Sequence, residues 1–149
     1  MGAIAAIGKD SVIPFLLDII NSITEEENVR GRAVVYLSTG SPRAIQALVK
    51  CMNTLRDKEL VLSAATMIVM YVKDKQAIPY LIEGLRNKDP EIGAKLTEAL
   101  RNLTGVIGVD YTINSTSSQE ECGKIIKNWE LWWEQSKFLF EGKEEEGKK

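Results

Sequence analysis

The residue types that most often carry out catalysis are scarce in this sequence. It contains no histidine, which removes the Ser-His-Asp and Cys-His nucleophile systems, the usual general base near neutral pH and the commonest zinc ligand. Glutamates occur in runs at 25–27 and 120–121, but adjacent residues of a helix do not face each other, so these runs predict a solvated surface. The sequence also lacks a glycine-rich phosphate loop and a calcium loop. We therefore expect no catalytic residues, no cofactor and no metal site.

Two cysteines, Cys51 and Cys122, are the remaining candidates for reactive chemistry. Two are too few for a disulfide framework. We expect both to be free thiols that are at least half buried.

Composition and charge argue against nucleic acid and membranes as partners. The chain has 19 basic and 21 acidic residues, a net charge of -2, which gives no long-range attraction to phosphates or anionic lipid. The longest uncharged apolar run, residues 64–72, is shorter than the ~18 residues of a membrane span. Residues 3–7 are too short for a signal-peptide core and follow no basic segment. These features favour a cytoplasmic protein without membrane insertion.

An apolar block that recurs every 32 to 33 residues predicts how the chain is organised. Ile13-Pro14 is followed by Ile45 and then by Ile78-Pro79, and a second apolar helical segment opens fourteen to sixteen residues after each isoleucine. A period in this range is typical of two-helix units that bury their apolar faces against their neighbours. The predicted fold is therefore all-α, an α-solenoid of about three helix pairs followed by a capping helix.

The predicted boundaries follow from this period. We expect a partial helix at residues 2–8, repeats at 9–40, 41–73 and 74–105, a loop with a tryptophan-rich capping helix at 106–140, and a disordered charged tail at 141–149. Because the first helix that should pair with residues 2–8 is missing, we expect the chain to be part of a longer protein.

Polar residues mark the predicted helix starts. Glu26, Asp57 and Asp89 each precede the first apolar anchor of a second helix by three residues, where an acid can accept hydrogen bonds from the first turn. Ser41 before Pro42 is suited to capping, and so is Ser118 before the last helix. We expect helix capping at these positions.

Residues 2–105 resemble HEAT repeats of the short bacterial, phycobilin lyase-type form. The resemblance rests on Ile13-Pro14-x-Leu16 and Ile78-Pro79-x-Leu81 in first helices, and on Asp57-x-x-Leu60 and Asp89-x-x-Ile92 before second helices. Glu26-x-x-Val29-Arg30 is a third instance. The family often places arginine after the apolar anchor and links repeats by Asp–Arg contacts, and only Arg30 fits that pattern here. The C-terminal residues 103–105 and 129–133 resemble a capping module that follows such repeats.

Three tryptophans within five residues are the most unusual local feature. Trp129, Trp132 and Trp133 could form a structural lid on the last repeat, a partner site or an aromatic cage for a small ligand. We favour the lid. In that case Trp129 and at least one neighbouring tryptophan are buried against the second helix of the third pair.

The resemblance implies a protein-binding scaffold whose second helices line a concave face. A chromophore-related function, as in the phycobilin lyases, is an alternative, and HEAT-type nucleic-acid binding is another. The latter is disfavoured because residues 1–105 carry 13 basic and 12 acidic residues. The residues expected to be exposed on the partner-binding face are Arg30, Arg32, Ser63, Thr66, Lys95, Glu98 and Arg101.

Overall fold

The computed structural model describes residues 10–87 and 89–147, with side chains as far as residue 140. The partial helix expected at residues 2–8 lies outside the described residues. In the described part the chain is all-α: it forms seven α-helices and two short 3-10 segments, without any strand. The chain divides into two compact units, residues 1–72 and 73–149. Each unit is treated separately below.

The first unit contains the first two predicted helix pairs. The helices are α1 (Ile13–Asn21), α2 (Glu27–Ser38), α3 (Pro42–Thr54) and α4 (Lys58–Tyr71). Within each pair the two helices contact each other, the first helices α1 and α3 also contact each other, and so do the second helices α2 and α4. The period in the sequence thus corresponds to two layers, one of first helices and one of second helices.

Apolar residues at helical spacing form the core of this unit. On α3 they make the single stripe that the sequence predicts, whereas α4 buries small residues that let neighbouring helices approach. The fully or almost fully buried side chains are Ile20, Val34, Leu37, Ile45, Leu48, Ala64, Ala65 and Ile68.

Two of the three expected caps in the first unit are present. The Ser41 hydroxyl accepts a hydrogen bond from Ala44 N at 3.3 Å and donates one to Asp10 Oδ1 at 2.6 Å. Asp57 Oδ1 accepts from Leu60 N at 3.2 Å. The prediction of a cap at Glu26 is wrong, because the Glu26 side chain makes no capping hydrogen bond. Glutamate is one methylene longer than the short side chains that cap well.

The second unit contains the third helix pair and the last helix. It begins with a 3-10 turn (Lys75–Ala77) and continues as α5 (Ile78–Gly84) and α6 (Pro90–Thr104). A second 3-10 turn (Val109–Tyr111) precedes α7 (Gln119–Gly147). From its apolar spacing, the first helix of the third pair is predicted to run from residue 75 to residue 87. The observed helix is shorter, and its first turn is 3-10. Asp89 Oδ1 caps α6 by accepting from Glu91 N at 3.0 Å, as expected.

The segment between α6 and α7 is irregular but held in place. Gly105 ends α6 with φ of 77°, a left-handed conformation that favours glycine. Ile113 is buried, and its backbone N–H donates to Thr97 Oγ1 at 3.2 Å. A Cβ on Gly93 would lie only 3.0 Å from Ile113 Cδ1 and 3.1 Å from Cγ2, so glycine at this position of α6 makes room for the segment.

The last helix starts as predicted and ends later. Ser118 and Glu121 form a reciprocal capping box, in which Glu121 N donates to Ser118 Oγ at 3.1 Å and Ser118 N donates to Glu121 Oε1 at 3.2 Å. The helix continues to Gly147, past the predicted end at residue 140. The expected disordered tail at 141–149 is thus helical as far as Gly147, and residues 148 and 149 lie outside the described part. Among the described helices, none is long and apolar enough to cross a membrane.

Candidate partner-binding surface

The first unit has a groove between the N-terminal halves of α2 and α4. Helix α2 contributes four of its first five residues to the groove, and α4 contributes the corresponding part with its N-cap. The groove is open to solvent and encloses about 350 Å³. The residues that line it are Glu27, Asn28, Arg30, Gly31, Asp57, Glu59, Leu60 and Ser63.

Arg30 forms the base of this groove rather than an exposed contact. Its side chain is almost buried, at 8% exposure. Its Nε donates to the carbonyl oxygen of Ile20 at 2.8 Å, and its Nη1 lies 3.5 Å from Asp57 Oδ2. Arg30 was expected to be exposed, and this expectation is wrong because the guanidinium is used to link α1, α2 and the start of α4.

Asp57 serves two contacts with its two carboxylate oxygens. Oδ1 caps α4, and Oδ2 meets Arg30. Arg30 follows the apolar anchor of the second helix in the first pair, and Asp57 precedes the corresponding anchor in the second pair. The contact between them therefore links two consecutive helix pairs. This is the Asp–Arg contact that the resemblance implies for Arg30.

Gly31 leaves the floor of the groove without a side chain. A Cβ built at Gly31 would meet no atom within 4 Å, so the position faces open space. From the sequence, Gly31 can be interpreted as one of the small residues of the second helices that let neighbouring helices approach closely, but no neighbour approaches it here. In the middle of a helix a glycine costs roughly 0.5–1 kcal/mol relative to alanine. No packing contact within the first unit requires glycine at this position, so nothing in the unit offsets that loss of stability.

The other candidate residues of the first unit lie on the same two helices but differ in accessibility. Arg32 is exposed on α2, one residue beyond the groove lining. Ser63 lines the groove and is half-buried. Thr66 is also half-buried, and its hydroxyl donates to the carbonyl oxygen of Leu62 at 2.9 Å. The structure therefore brings Ser63 to the groove, whereas Arg32 and Thr66 do not line it.

The candidates of the second unit, Lys95, Glu98 and Arg101, all lie on α6. Lys95 and Glu98 are half-buried, and Arg101 is exposed. Their spacing of three residues places neighbouring members of the set close to one another on the helix surface. All three were expected to be exposed on the second helix of the third pair; Arg101 is exposed, whereas Lys95 and Glu98 are partly covered by their neighbours.

Trp129 is the buried anchor of α7. Its side chain has no exposed surface. Its indole N–H donates to the carbonyl oxygen of Tyr111 at 2.9 Å, and the Tyr111 ring meets the indole edge-on at 5.2 Å. The expected burial of Trp129 is confirmed, but its polar partner comes from the 3-10 turn, which the sequence did not single out.

Trp132 and Trp133 are only half-buried, so the expectation that at least one of them is buried is wrong. Trp132 packs edge-on against Trp129 at 5.5 Å, and Trp133 stacks on Phe140 at 5.9 Å. The tryptophans were expected to pack against α6, the second helix of the third pair, and against no other element. Helix α7 contacts α5, α6 and both 3-10 turns of the second unit, so it covers more than one element and leaves part of its circumference free.

The ionisable groups of the described residues show few perturbations. Burial raises the pKa of the Cys51 thiol, whose Sγ lies 3.8 Å from Asn21 Oδ1. Burial also raises the pKa of the Cys122 thiol. The ion pair of Arg86 with Glu130, at 2.7 Å, raises the pKa of that guanidinium. Both cysteines are free and buried, as predicted. The described residues contain no cluster of three or more metal-ligating side chains.

Comparison of the sequence with protein-family models, with curated proteins and with solved structures gave no match.

Proposed function

We propose that this chain is a non-catalytic protein-interaction module, a segment of a HEAT-like α-solenoid whose second helices bind an extended stretch of a partner protein. Two layers in the first unit support the solenoid assignment, because stacked repeats require that first helices meet first helices and second helices meet second helices. The Arg30–Asp57 contact between consecutive pairs supports it as well.

The groove between α2 and α4 carries the proposal of partner binding. It lies on the layer of second helices, where an extended segment bound along a solenoid would be expected. The absence of a side chain at Gly31 is the observation on which we rely most, because this glycine opens the groove and serves no close contact within the unit. A partner segment that lies over Gly31 would explain why the position has no side chain.

A bulky residue at Gly31 tests the proposal directly. Gly31→Trp should place an indole in the groove, because a Cβ at this position meets no atom within 4 Å, and should weaken partner binding at least tenfold. Gly123→Trp is the matched control, since Gly123 is also helical and also has no atom within 4 Å of a built Cβ, but lies on α7. Both variants should melt like the parent protein.

The measurement has two stages. Immobilised parent and variant proteins are incubated with cell extract, and retained proteins are compared by quantitative mass spectrometry. The protein that the parent retains and Gly31→Trp loses is then purified, and its dissociation constant is measured by calorimetry against all three forms. Equal retention by the parent and Gly31→Trp would place the binding surface elsewhere, and retention of nothing above the bare resin would count against an interaction module.

A further inference from the structure

The first unit has a second groove, on the layer of first helices, between α1 and α3. It is open to solvent and encloses about 380 Å³. Helix α1 contributes one turn of its C-terminal half, and α3 contributes one face along most of its length. The α1–α3 groove shares no residue with the groove between α2 and α4. The residues that line it are Leu17, Asn21, Arg43, Gln46, Ala47, Lys50, Cys51 and Thr54.

Two cations border the α1–α3 groove. Arg43 and Lys50 are exposed, and in the described part of the chain neither makes an ion pair or a hydrogen bond. They are seven residues apart on α3, which is two helical turns or about 10.5 Å along the axis, so they lie on the same side of the helix. Asp18 of α1 is exposed but does not line the groove. The lining thus carries two positive charges and no negative one.

The residues between the two cations leave space and hydrogen-bond donors. Ala47 has a short side chain, so the surface between Arg43 and Lys50 is recessed. Gln46 lies three residues after the first cation and four before the second, and its side-chain amide makes no hydrogen bond to the described residues. A groove that offers two cations and an amide to solvent is suited to carboxylates.

The α1 side of the groove is fixed by contacts of its own. Asn21 Nδ2 donates to the carbonyl oxygen of Leu17 at 3.0 Å, and Asn21 Oδ1 lies 3.8 Å from the Cys51 Sγ, which donates to it. The Thr54 hydroxyl donates to the carbonyl oxygen of Cys51 at 3.0 Å. One N–H of the Asn21 amide is left over after these contacts. The wall opposite the cations is therefore ordered before any ligand arrives, which lowers the entropic cost of binding.

We propose that the α1–α3 groove binds an acidic, extended segment of a partner protein, with one carboxylate at Arg43 and a second at Lys50. In a polyproline II segment, residues three positions apart project from the same side and are about 9.3 Å apart. This spacing is close to the axial separation of the two cations, so acids three positions apart fit the groove. A protein segment is favoured over nucleic acid, because a phosphate backbone requires a row of cations and this groove has two. The inference does not depend on the groove between α2 and α4.

A short synthetic peptide tests the spacing. The probe is acetyl-Gly-Glu-Pro-Pro-Glu-Gly-amide, and its binding to the intact protein is followed by amide NMR spectra. Saturable shifts should appear in α1 and α3, with a dissociation constant in the millimolar range because exposed ion pairs are weak. The reordered peptide acetyl-Gly-Glu-Glu-Pro-Pro-Gly-amide has the same composition and charge, and it should bind about threefold more weakly.

Substitutions of the two cations test the site. Arg43→Gln and Lys50→Gln should each weaken binding of the probe about threefold, the order expected for one exposed ion pair. Arg56→Gln is the matched control, since Arg56 is an exposed cation of the same unit that does not line the groove. All three residues are exposed, so the variants should melt like the parent protein. Arg43→Glu combined with Lys50→Glu should lose the acidic probe and bind the corresponding peptide with lysine in place of glutamate.

Four results would overturn the proposal. The first is the absence of a saturable shift up to the solubility limit of the probe. The second is a set of shifts centred outside α1 and α3. The third is an equal loss for Arg56→Gln and the groove variants, which would indicate a general effect of charge. The fourth is tighter binding of a single-stranded hexanucleotide than of the probe, because the groove would then be a phosphate site.

Discussion

Arg30 shows how a residue that looks like a surface contact can be a structural one. The sequence places it near the start of a second helix, where arginines are usually solvated. Its guanidinium instead satisfies the carbonyl at the end of α1 and meets the cap of α4. Only the position of neighbouring elements decides between these roles, and helical periodicity within α2 cannot supply that information.

Replacing Arg30 should therefore destabilise the first unit. We expect Arg30→Met to lower the free energy of unfolding by about 2–3 kcal/mol, because the Ile20 carbonyl and the Asp57 carboxylate lose a buried charged partner. Arg32→Met, two residues along and exposed, should change it by less than about 0.5 kcal/mol. Urea denaturation followed by circular dichroism measures both. Equal effects at the two positions would mean that the Arg30 contacts add no net stability.

The two thiols give a residue-scale dependence on pH. Burial raises the pKa of Cys51 and Cys122 above the ordinary value of 9.0, so the folded protein holds these protons after the unfolded chain begins to lose them. The associated stability is present below the unfolded pKa and is lost as the pH rises from there through the folded pKa. Cys51→Ala with Cys122→Ala should show a smaller loss of melting temperature between pH 8 and pH 10 than the parent. A parallel decline in both proteins would show that other groups dominate.

At the scale of the elements, the sequence predicted the helices that its periodicity marks, and missed what depends on contacts between elements. The polar residues that mark predicted helix starts, Glu26, Ser41, Asp57 and Asp89, directly precede α2, α3, α4 and α6. The helix from residue 75 was overestimated because its apolar spacing continues into a 3-10 turn and past Gly84. The role of Tyr111 as the partner of Trp129 was not predicted, because a backbone carbonyl in an irregular segment leaves no pattern in the sequence.

The fit of the segment 106–118 onto α6 depends on glycine at position 93. Gly93→Ala adds a Cβ within 3.0–3.1 Å of Ile113, which is buried and therefore has little space to move. We expect this substitution to lower stability by about 1–3 kcal/mol, despite the higher helix propensity of alanine. Gly31→Ala, at an open position, should raise stability by roughly 0.5–1 kcal/mol. Thermal melts of the two variants should shift in opposite directions, and a gain for both would show that Ile113 adapts.

Trp129 anchors the last helix on the second unit. Trp129→Ala should cost about 3–5 kcal/mol, because a fully buried aromatic side chain and its hydrogen bond to Tyr111 are both lost. Trp132→Ala should cost clearly less, since Trp132 is half-buried. Denaturant unfolding followed by circular dichroism distinguishes the two, and comparable losses would mean that the rings act as a single packed cluster.

At the scale of the whole molecule, the chain consists of two units that each have a core. The buried side chains of residues 20–72 belong to the first, and those of residues 77–129 belong to the second. The repeat period predicted three equivalent helix pairs in one array. The repeat period could not predict the division after residue 72, because the apolar anchors have the same spacing before and after this residue.

All three tryptophans lie in the second unit, and the first unit contains none. Indole fluorescence therefore responds to the unfolding of residues 73–149, while far-ultraviolet circular dichroism responds to helices in both units. If the two units unfold as one cooperative body, the two signals give coincident denaturation curves. If either unit unfolds first, the curves separate, and the order of the two midpoints identifies the less stable one. Because tryptophan occurs in the second unit alone, the unmodified protein carries the fluorescence probe that is needed to test whether its two units unfold cooperatively.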